Sequence, residues 1–212
     1  MKITNDELGN QAYKMVKSMI LTKKLQPGQK IVQDKLAADL GISRTPLRTA
    51  LQMLEAEYLV ESLPRRGMIV KEFSDREIIE IYDCRNALEG TAIRLFTENC
   101  TKTDISNLKK LFQPFEQNTK ELDNSLYQIA DMEFHNTIIE KCGNSFLTML
   151  FKKGNLLEFI DLIGLKRPAT ETLTEHLNII DAIEKKDIDL AEQLIKEHLE
   201  KSKILIQKTT NK

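Results

Sequence analysis

Apolar residues recur every three or four positions along most of the chain, the spacing that gathers them on one face of an α-helix. Strict alternation of apolar and polar residues, which is typical of half-buried strands, is rare. Residues 6–23 begin the helical pattern and predict a first helix. Its apolar positions are Leu8, Ala12, Met15, Val16, Met19 and Ile20.

Two shorter helical stretches follow, at about 33–40 and 44–57. Gly41 suits the end of the first stretch, because a helix often ends on a left-handed residue. Ser43 can cap the second stretch, and Pro46 falls in its first turn, where proline costs no hydrogen bond. Two helices joined by so short a turn predict a helix-turn-helix.

A β-prone run at 58–62 and a second at 68–70 flank the turn sequence Pro-Arg-Arg-Gly at 64–67. This pattern predicts a hairpin with a basic tip. A hairpin directly after a helix-turn-helix corresponds to the wing of a winged domain, so we expect residues 1–72 to form a winged helix-turn-helix.

From residue 73 onward the pattern is helical throughout. Ser74 is a candidate N-cap, with Glu77 as its capping-box partner three residues later. We predict about six helices joined by short polar loops, hence an antiparallel α-helical bundle over 73–212. The six ranges are 75–99, 103–119, 122–141, 145–163, 169–185 and 188–207. The expected fold class is therefore mainly α, with two domains.

The charges of the two parts differ, although the net charge of the 212 residues is only -1. Residues 1–71 contain 12 Lys and Arg against 7 Asp and Glu, whereas residues 72–212 contain 19 against 25. A small basic domain joined to a larger acidic one indicates a polyanion-binding module attached to a second function.

The composition bears on the cellular location. No apolar run approaches the ~20 residues of a membrane span, and the N-terminus lacks the apolar segment of a secretory signal. Three cysteines, without a CxxC pair, fit a reducing compartment. We therefore expect a cytoplasmic protein with no membrane partner.

The second helix of the predicted helix-turn-helix is the one that would enter a major groove. Arginine can bridge guanine O6 and N7, threonine can bond phosphate, and a helix N-terminus offers free amides. The wing tip adds arginines suited to phosphates and a glycine that permits close approach. The alternative is an ordinary helix pair with solvated arginines. The candidate contacts to a double-stranded DNA operator are Ser43, Arg44, Thr45, Arg48, Arg65, Arg66 and Gly67.

The segment GISRTPLRTALQMLEAEYLV, followed by PRRGMIV, resembles the DNA-binding domain of GntR-type transcriptional regulators. The resemblance implies operator contacts from the residues at Arg44, Thr45, Arg48 and Gly67. One departure is Tyr58, where the family usually has glycine at the end of the recognition helix.

All three histidines of the chain lie in the predicted bundle, together with Asp131 one helical turn before His135. His176 and His198 flank a short loop, ten residues before and twelve residues after Lys186, so they should lie at similar heights on an antiparallel pair. Asp131 and the three imidazoles can then converge on a divalent metal, with zinc or nickel expected first and manganese or iron also suited. The alternative is a set of ordinary polar residues.

Three further stretches resemble the FCD-type ligand-binding domain of the FadR branch of these regulators. They are EIIEIYDCRNALEGTAIRL, DMEFHNTIIEKCGNSFL and EHLNIIDAIEKKDIDLAEQLIKEHL. The resemblance implies a metal held at Asp131, His135, His176 and His198, which in metal-binding members helps to hold a small carboxylate.

Arg85 lies within the first of these stretches. In the resembling family this arginine points into the cavity, and a guanidinium binds a carboxylate in bidentate fashion. Arg85 is therefore a candidate ligand-binding residue. The alternative is a structural ion pair with Glu89 or with Asp131.

Together these features predict a ligand-responsive transcriptional regulator. We expect a homodimer on a palindromic operator, because one recognition helix covers only half a site, and repression relieved by a small organic acid. One alternative is a regulator that binds fatty acyl-CoA without a metal. Another is a metal-dependent hydrolase or isomerase, but no HExxH or nucleophile motif is present, so we predict no enzyme.

Overall fold

The computed structural model describes residues 5–116 and 123–210. The chain divides into two compact units, residues 1–72 (unit 1) and residues 73–212 (unit 2). Helices dominate the described residues, and the prediction of a mainly α protein that begins with a winged helix-turn-helix is confirmed. None of the helices described is both long enough and apolar enough to cross a membrane.

Unit 1 is built around its first and third helices. Its elements are α1 Asn5–Leu21, α2 Gln33–Leu40, α3 Arg44–Ala56, β1 Val60–Leu63 and β2 Gly67–Val70. α1 packs on α3, and Val16 and Ile20 of α1 and Leu47 and Leu51 of α3 are almost fully buried. Gly41 ends α2 in the left-handed conformation, with φ of 66°, as a glycine at this position permits.

The start of α3 differs from the sequence prediction. Ser43 occupies the N-cap position with an extended backbone, but its side chain makes no capping hydrogen bond. The predicted hydroxyl cap is therefore wrong. Ser43 is exposed, so its hydroxyl can bond water instead. The first amides of α3 therefore receive no hydrogen bond from the Ser43 side chain.

Tyr58 follows α3 in the left-handed region, with φ of 59°. Only glycine adopts this conformation without steric cost, so the tyrosine carries strain there. β1 begins at Val60, two residues later than predicted from the sequence, because the chain first turns at Tyr58. β1 and β2 then pair antiparallel, with Val60 opposite Val70 and Leu63 opposite Gly67.

Unit 2 is a helical bundle. Its described helices are α4 Asp75–Asn99, α5 Lys102–Glu116, α6 Asn124–Lys141, α7 Ser145–Lys153, α8 Leu156–Ile163, α9 Ala169–Glu184 and α10 Ile188–Thr210. The predicted capping box at the start of α4 is present: the amide of Glu77 donates to the Ser74 hydroxyl, and the Ser74 amide donates to the Glu77 carboxylate. α10 packs against both α4 and α9, and α6 packs against α4.

The single helix predicted over 145–163 is wrong, because α7 and α8 are separate. Gly154 ends α7, and Asn155 takes the left-handed conformation with φ of 49°. Asparagine tolerates this conformation better than most residues, so the chain can turn here although its apolar periodicity continues. The described ranges of unit 2 thus contain seven helices rather than about six.

The segment between α5 and α6 lies mostly outside the described residues. The helix predicted over 103–119 is observed as far as Glu116, and its last three residues lie outside the described range. The next helix begins at Asn124 instead of residue 122, because Asp123 caps it by accepting from the amides of Ser125 and Leu126.

Candidate functional site

The predicted DNA-contacting side chains of α3 lie on one exposed face. Pro46, Leu47 and Ala50 point into unit 1 and are buried, and they fix which side of the helix faces outward. The residues left on the outside at the helix start are Ser43, Arg44, Thr45, Arg48 and Thr49. This face presents two guanidinium groups and several hydroxyls beside the helix N-terminus, the chemistry that binds base edges and phosphates.

The wing tip is exposed as well. Arg65 and Gly67 both have positive φ, 64° and 75°, and the Arg66 amide donates to the Leu63 carbonyl at 3.2 Å to close the turn. A Cβ built on Gly67 would have no neighbour within 4 Å, so only its backbone conformation calls for glycine. Arg65 and Arg66 therefore project from a tight turn whose backbone can approach a partner closely.

On the face predicted to contact DNA, one ion pair was not predicted from the sequence. Asp34, in the first turn of α2, forms an ion pair with Arg44 through Oδ1 and Nε. The two residues are ten positions apart and meet only because α2 and α3 pack together, so no local spacing could have indicated the pair.

A polar cluster lies in the interior of unit 2, and it is made of the four residues predicted from the sequence. α6 supplies Asp131 and His135, α9 supplies His176, and α10 supplies His198. All four are buried, between 0% and 6% exposed. One nitrogen or oxygen atom from each lies within 4.8 Å of the corresponding atoms of the others. The structure therefore brings together donors from three helices.

Each imidazole uses Nδ1 for a different neighbour. Nδ1 of His135 contacts a carboxylate oxygen of Glu89, Nδ1 of His198 lies 2.8 Å from Glu175 Oε2, and Nδ1 of His176 lies 2.9 Å from the Tyr127 hydroxyl. A carboxylate can only accept from a ring N–H, so the proton of neutral His135 and of neutral His198 lies on Nδ1. Their Nε2 atoms then carry a lone pair. The sequence did not predict that Glu89, Tyr127 and Glu175 contact the three histidines.

Two of the Nε2 atoms are unsatisfied. Within the described residues, Nε2 of His135 and Nε2 of His176 are buried and make no hydrogen bond. Asp131 Oδ1 lies 3.4 Å from His176 Nε2. Buried polar nitrogens normally have a partner, so this pair indicates a place for a further group.

The electrostatics keep two of the rings neutral. Burial lowers the pKa of His176 well below its usual value, and the neighbouring imidazoles act in the same direction. Burial also lowers the pKa of His198, although its hydrogen bond with Glu175 opposes the change. A neutral imidazole is the form that ligates a metal ion.

Arg85 of α4 is 2% exposed and lies beside this cluster. Its Nε donates to Glu89 Oε1 at 2.5 Å, so the structural ion pair considered from the sequence is present. Burial would raise the pKa of Glu89, but Arg85 and His135 hold it at about 2. Nη2 of Arg85 is buried and has no hydrogen-bond partner among the described residues. Glu89 thus binds only part of the Arg85 guanidinium.

A small cavity of about 30 Å³ adjoins the cluster. Arg85, Asp131, His135 and His198 line it, together with polar groups from Tyr82 and Ser202. The cavity lining thus includes a buried cation, Arg85, and three of the four residues of the Asp/His cluster. Such a lining suits a small anionic or polar ligand.

Both units match families of known proteins. Residues 8–70 match the bacterial regulatory proteins of the gntR family, and residues 80–201 match the FCD domain. The second match alone covers more than half of the chain.

Individual relatives extend over most of the chain. An HTH-type transcriptional regulator of Bacillus subtilis named YdhC is 27% identical, over 89% of this chain and 86% of its own length. The gluconate operon transcriptional repressor of Bacillus licheniformis is also 27% identical, over 81% of this chain and 73% of its own length. Among solved structures, McbR/YncC of E. coli shares the fold, with a TM-score of 0.75, 23% identity and coverage of 96% and 98% of the two chains.

These matches agree with the two units of the structure. Proteins of this family are transcriptional regulators and not enzymes, as predicted from the absence of a catalytic motif. The chain belongs to the GntR family of bacterial transcriptional regulators, with its helix-turn-helix domain in unit 1 and an FCD domain in unit 2.

Proposed function

We propose that this protein is a homodimeric repressor that leaves a palindromic operator when a small carboxylate metabolite binds next to a metal ion in unit 2. Relatives named as operon repressors support the direction of control. A ligand can release DNA only if it binds better to a form in which the two DNA-binding domains no longer match the half-sites.

The metal ligands in this proposal are Asp131, His135, His176 and His198. The observation that carries it is that Nε2 of His135 and Nε2 of His176 are buried and have no hydrogen-bond partner among the residues described, while Nδ1 of each ring is held by another residue. Ligating histidines characteristically use their second nitrogen in this way, which fixes ring orientation. Three imidazoles and one carboxylate suit zinc or nickel, and a bound divalent ion would supply a Lewis-acidic position for an oxygen ligand.

Arg85 is the residue we assign to the carboxylate of the effector. Glu89 binds Nε, and Nη2, which has no hydrogen-bond partner in the described part of the chain, is available for a ligand. The cavity of about 30 Å³ favours a ligand of few atoms. The alternative of a fatty acyl-CoA without a metal finds no support in a space of this size.

The exposed face of α7 supports the homodimer. Phe146 is 74% exposed, Met149 is 38% exposed and Leu150 is 56% exposed, and their spacing places all three on one side of the helix. A contiguous apolar surface of this kind is typical of an interface between proteins, and a two-fold axis would pair it with itself.

The metal is tested on protein purified without added metal. We expect about one equivalent of zinc or nickel by elemental analysis, and its loss in Asp131→Asn. Asp181→Asn is the matched control, since Asp181 is an exposed residue of α9. Absence of metal from the unaltered protein, together with unchanged thermal stability on adding zinc or nickel, would refute this part of the proposal.

The regulatory part is tested with DNA. The selected duplex, a DNA duplex that the protein enriches from a random-sequence library, takes the place of the operator. We expect small carboxylates to release the selected duplex from the metal-loaded protein and to lose this effect after chelation. Release by acyl-CoA alone would favour the alternative.

The dimer is tested by sedimentation. Leu150→Glu should shift the protein towards monomer, because a carboxylate would be buried in the apolar interface. Thr174→Glu, which introduces the same carboxylate at an exposed position of α9, is the control. A monomer-dimer balance that is the same in both variants would contradict the assignment of this face.

A further inference from the structure

The ion pair between Asp34 and Arg44 joins the two helices of the helix-turn-helix at the surface expected to face DNA. Both side chains are largely exposed, 63% for Asp34 and 75% for Arg44. An isolated surface ion pair of this kind contributes little to folding, typically about 0–1 kcal/mol. Folding stability therefore does not account for an ion pair at the start of the predicted recognition helix.

Arg44 needs an anionic partner at this position. It is the first residue of α3, where the positive end of the helix dipole disfavours a cation. No acidic residue lies in the first turn of α3 itself. Asp34 supplies the missing negative charge from α2.

The ion pair with Asp34 uses Nε of Arg44 and leaves the far end of the guanidinium available for a base contact. Asp34 Oδ1 binds Nε, which lies on the side of the guanidinium nearest the aliphatic stem. One N–H of Nη2 shares the edge of Nε, but the far end of the planar guanidinium still presents one N–H of Nη1 and one of Nη2. A guanine offers O6 and N7 as paired acceptors to two such nitrogens.

We propose that Asp34 is a positioning residue for DNA recognition, which holds the Arg44 guanidinium so that Nη1 and Nη2 can meet the O6 and N7 acceptors of one guanine. A long arginine side chain loses rotamer freedom when it binds, and fixing it beforehand lowers that cost for the correct base. The negative charge of Asp34 also repels phosphates and so weakens binding to any DNA. Asp34 therefore raises discrimination between sequences at the expense of general affinity.

This inference rests on the predicted contact of Arg44 with operator DNA, so the experiment tests that contact and the role of Asp34 separately. Affinities for the selected duplex and for a scrambled duplex are measured in the unaltered protein, Asp34→Asn, Arg44→Ala and the double variant. Asp39→Asn is the matched control, because it removes the same charge from an exposed position of the same helix. Melting temperatures of all variants verify that unit 1 stays folded.

The readout is the ratio of the two affinities. Arg44→Ala should lower this ratio about 5- to 150-fold, the usual value of a bidentate base contact. Asp34→Asn should lower it about 3- to 10-fold, since it affects the orientation and not the contact itself. Both Asp34→Asn and Asp39→Asn should tighten binding to the scrambled duplex, because each removes a negative charge. The conservative variant Asp34→Glu should restore part of the ratio.

The double variant decides how Asp34 acts. In the Arg44→Ala background, Asp34→Asn should leave the ratio unchanged, because no guanidinium remains to be positioned. Equal ratios in Asp34→Asn and Asp39→Asn would overturn the inference while leaving the contact of Arg44 intact. A further loss in the double variant would also overturn it, since Asp34 would then read a cytosine directly. No effect of Arg44→Ala would overturn both proposals.

Discussion

His176 and His198 lie against each other on consecutive helices, with ring centroids 4.6 Å apart. Tyr127 holds one ring from α6, and Glu175 holds the other from α9. The rings are thus fixed by different neighbours but share one interior space. This arrangement makes the contribution of each holding residue to metal binding separately testable.

Tyr127→Phe should weaken metal binding without unfolding the bundle. The variant removes only the hydroxyl that contacts His176 Nδ1 and keeps the fully buried ring. Loss of such an outer partner typically costs about 10- to 100-fold in metal affinity. Competition with a chromogenic chelator measures it. Tyr13→Phe, which removes a hydroxyl bonded to Glu57 in unit 1, is the control and should not change the metal affinity.

Metal-free protein should lose stability as the pH falls below about 6.5. The pKa values of His176 and His198 are lowered in the folded state, mainly by burial. Between the folded and unfolded pKa values, the unfolded chain binds more protons, so the free energy of unfolding decreases with decreasing pH. Urea denaturation in the presence of chelator, at about pH 7.5 and about pH 5.5, measures this change.

The same protein should show a second decrease at lower pH. The pKa of Glu89 is held at about 2, below its ordinary value of 4.5, so this carboxylate stabilises the fold above about pH 4.5. That contribution is lost as the pH falls through 2. A free energy of unfolding that stays constant from neutral pH to about pH 5.5 would contradict the prediction for the two histidines, whatever happens below it.

Tyr58→Gly should stabilise unit 1. The left-handed conformation at φ of 59° costs an ordinary residue about 1–2 kcal/mol, and glycine adopts it freely. The gain is reduced by the greater freedom of glycine in the unfolded chain, about 0.5–1 kcal/mol, so we expect a net gain of roughly 0.5–1 kcal/mol. Thermal unfolding measures it. Tyr58→Ala keeps the strained backbone and should give no such gain, which separates strain from loss of the exposed ring.

Arg48→Ala and Arg66→Ala should affect DNA binding differently. Arg48 is exposed on α3, and its removal should weaken binding to the selected duplex by about 1–3 kcal/mol if it contacts a base. Arg66 lies at the wing tip and should contact phosphate, so its removal should weaken binding to selected and scrambled duplexes alike. The dependence of log K on log salt should then fall by about one unit in Arg66→Ala. Binding unchanged by Arg48→Ala would contradict the assignment of the recognition face.

Most of the fold could be predicted from local patterns. The apolar spacing of α1, the glycine at 41 and the capping box at Ser74 all act within a few residues, so the sequence contains them directly. The break at Gly154 and Asn155 escaped prediction, because the apolar pattern continues across it and only the backbone turns. Ser43 shows the opposite error, since a residue with the right chemistry does not make the bond expected of it.

The sequence by itself determined the family, the order of the elements and the four donors of the interior cluster, because spacing along helices and a short loop already constrain their positions. Only the tertiary structure decided what surrounds those donors. Each histidine is contacted from a different helix, by Glu89 of α4, Tyr127 of α6 or Glu175 of α9. In the same way, Asp34 of α2 contacts Arg44 of α3. Such pairings depend on how helices pack and on which side chains burial leaves without water, and neither is a property of local sequence.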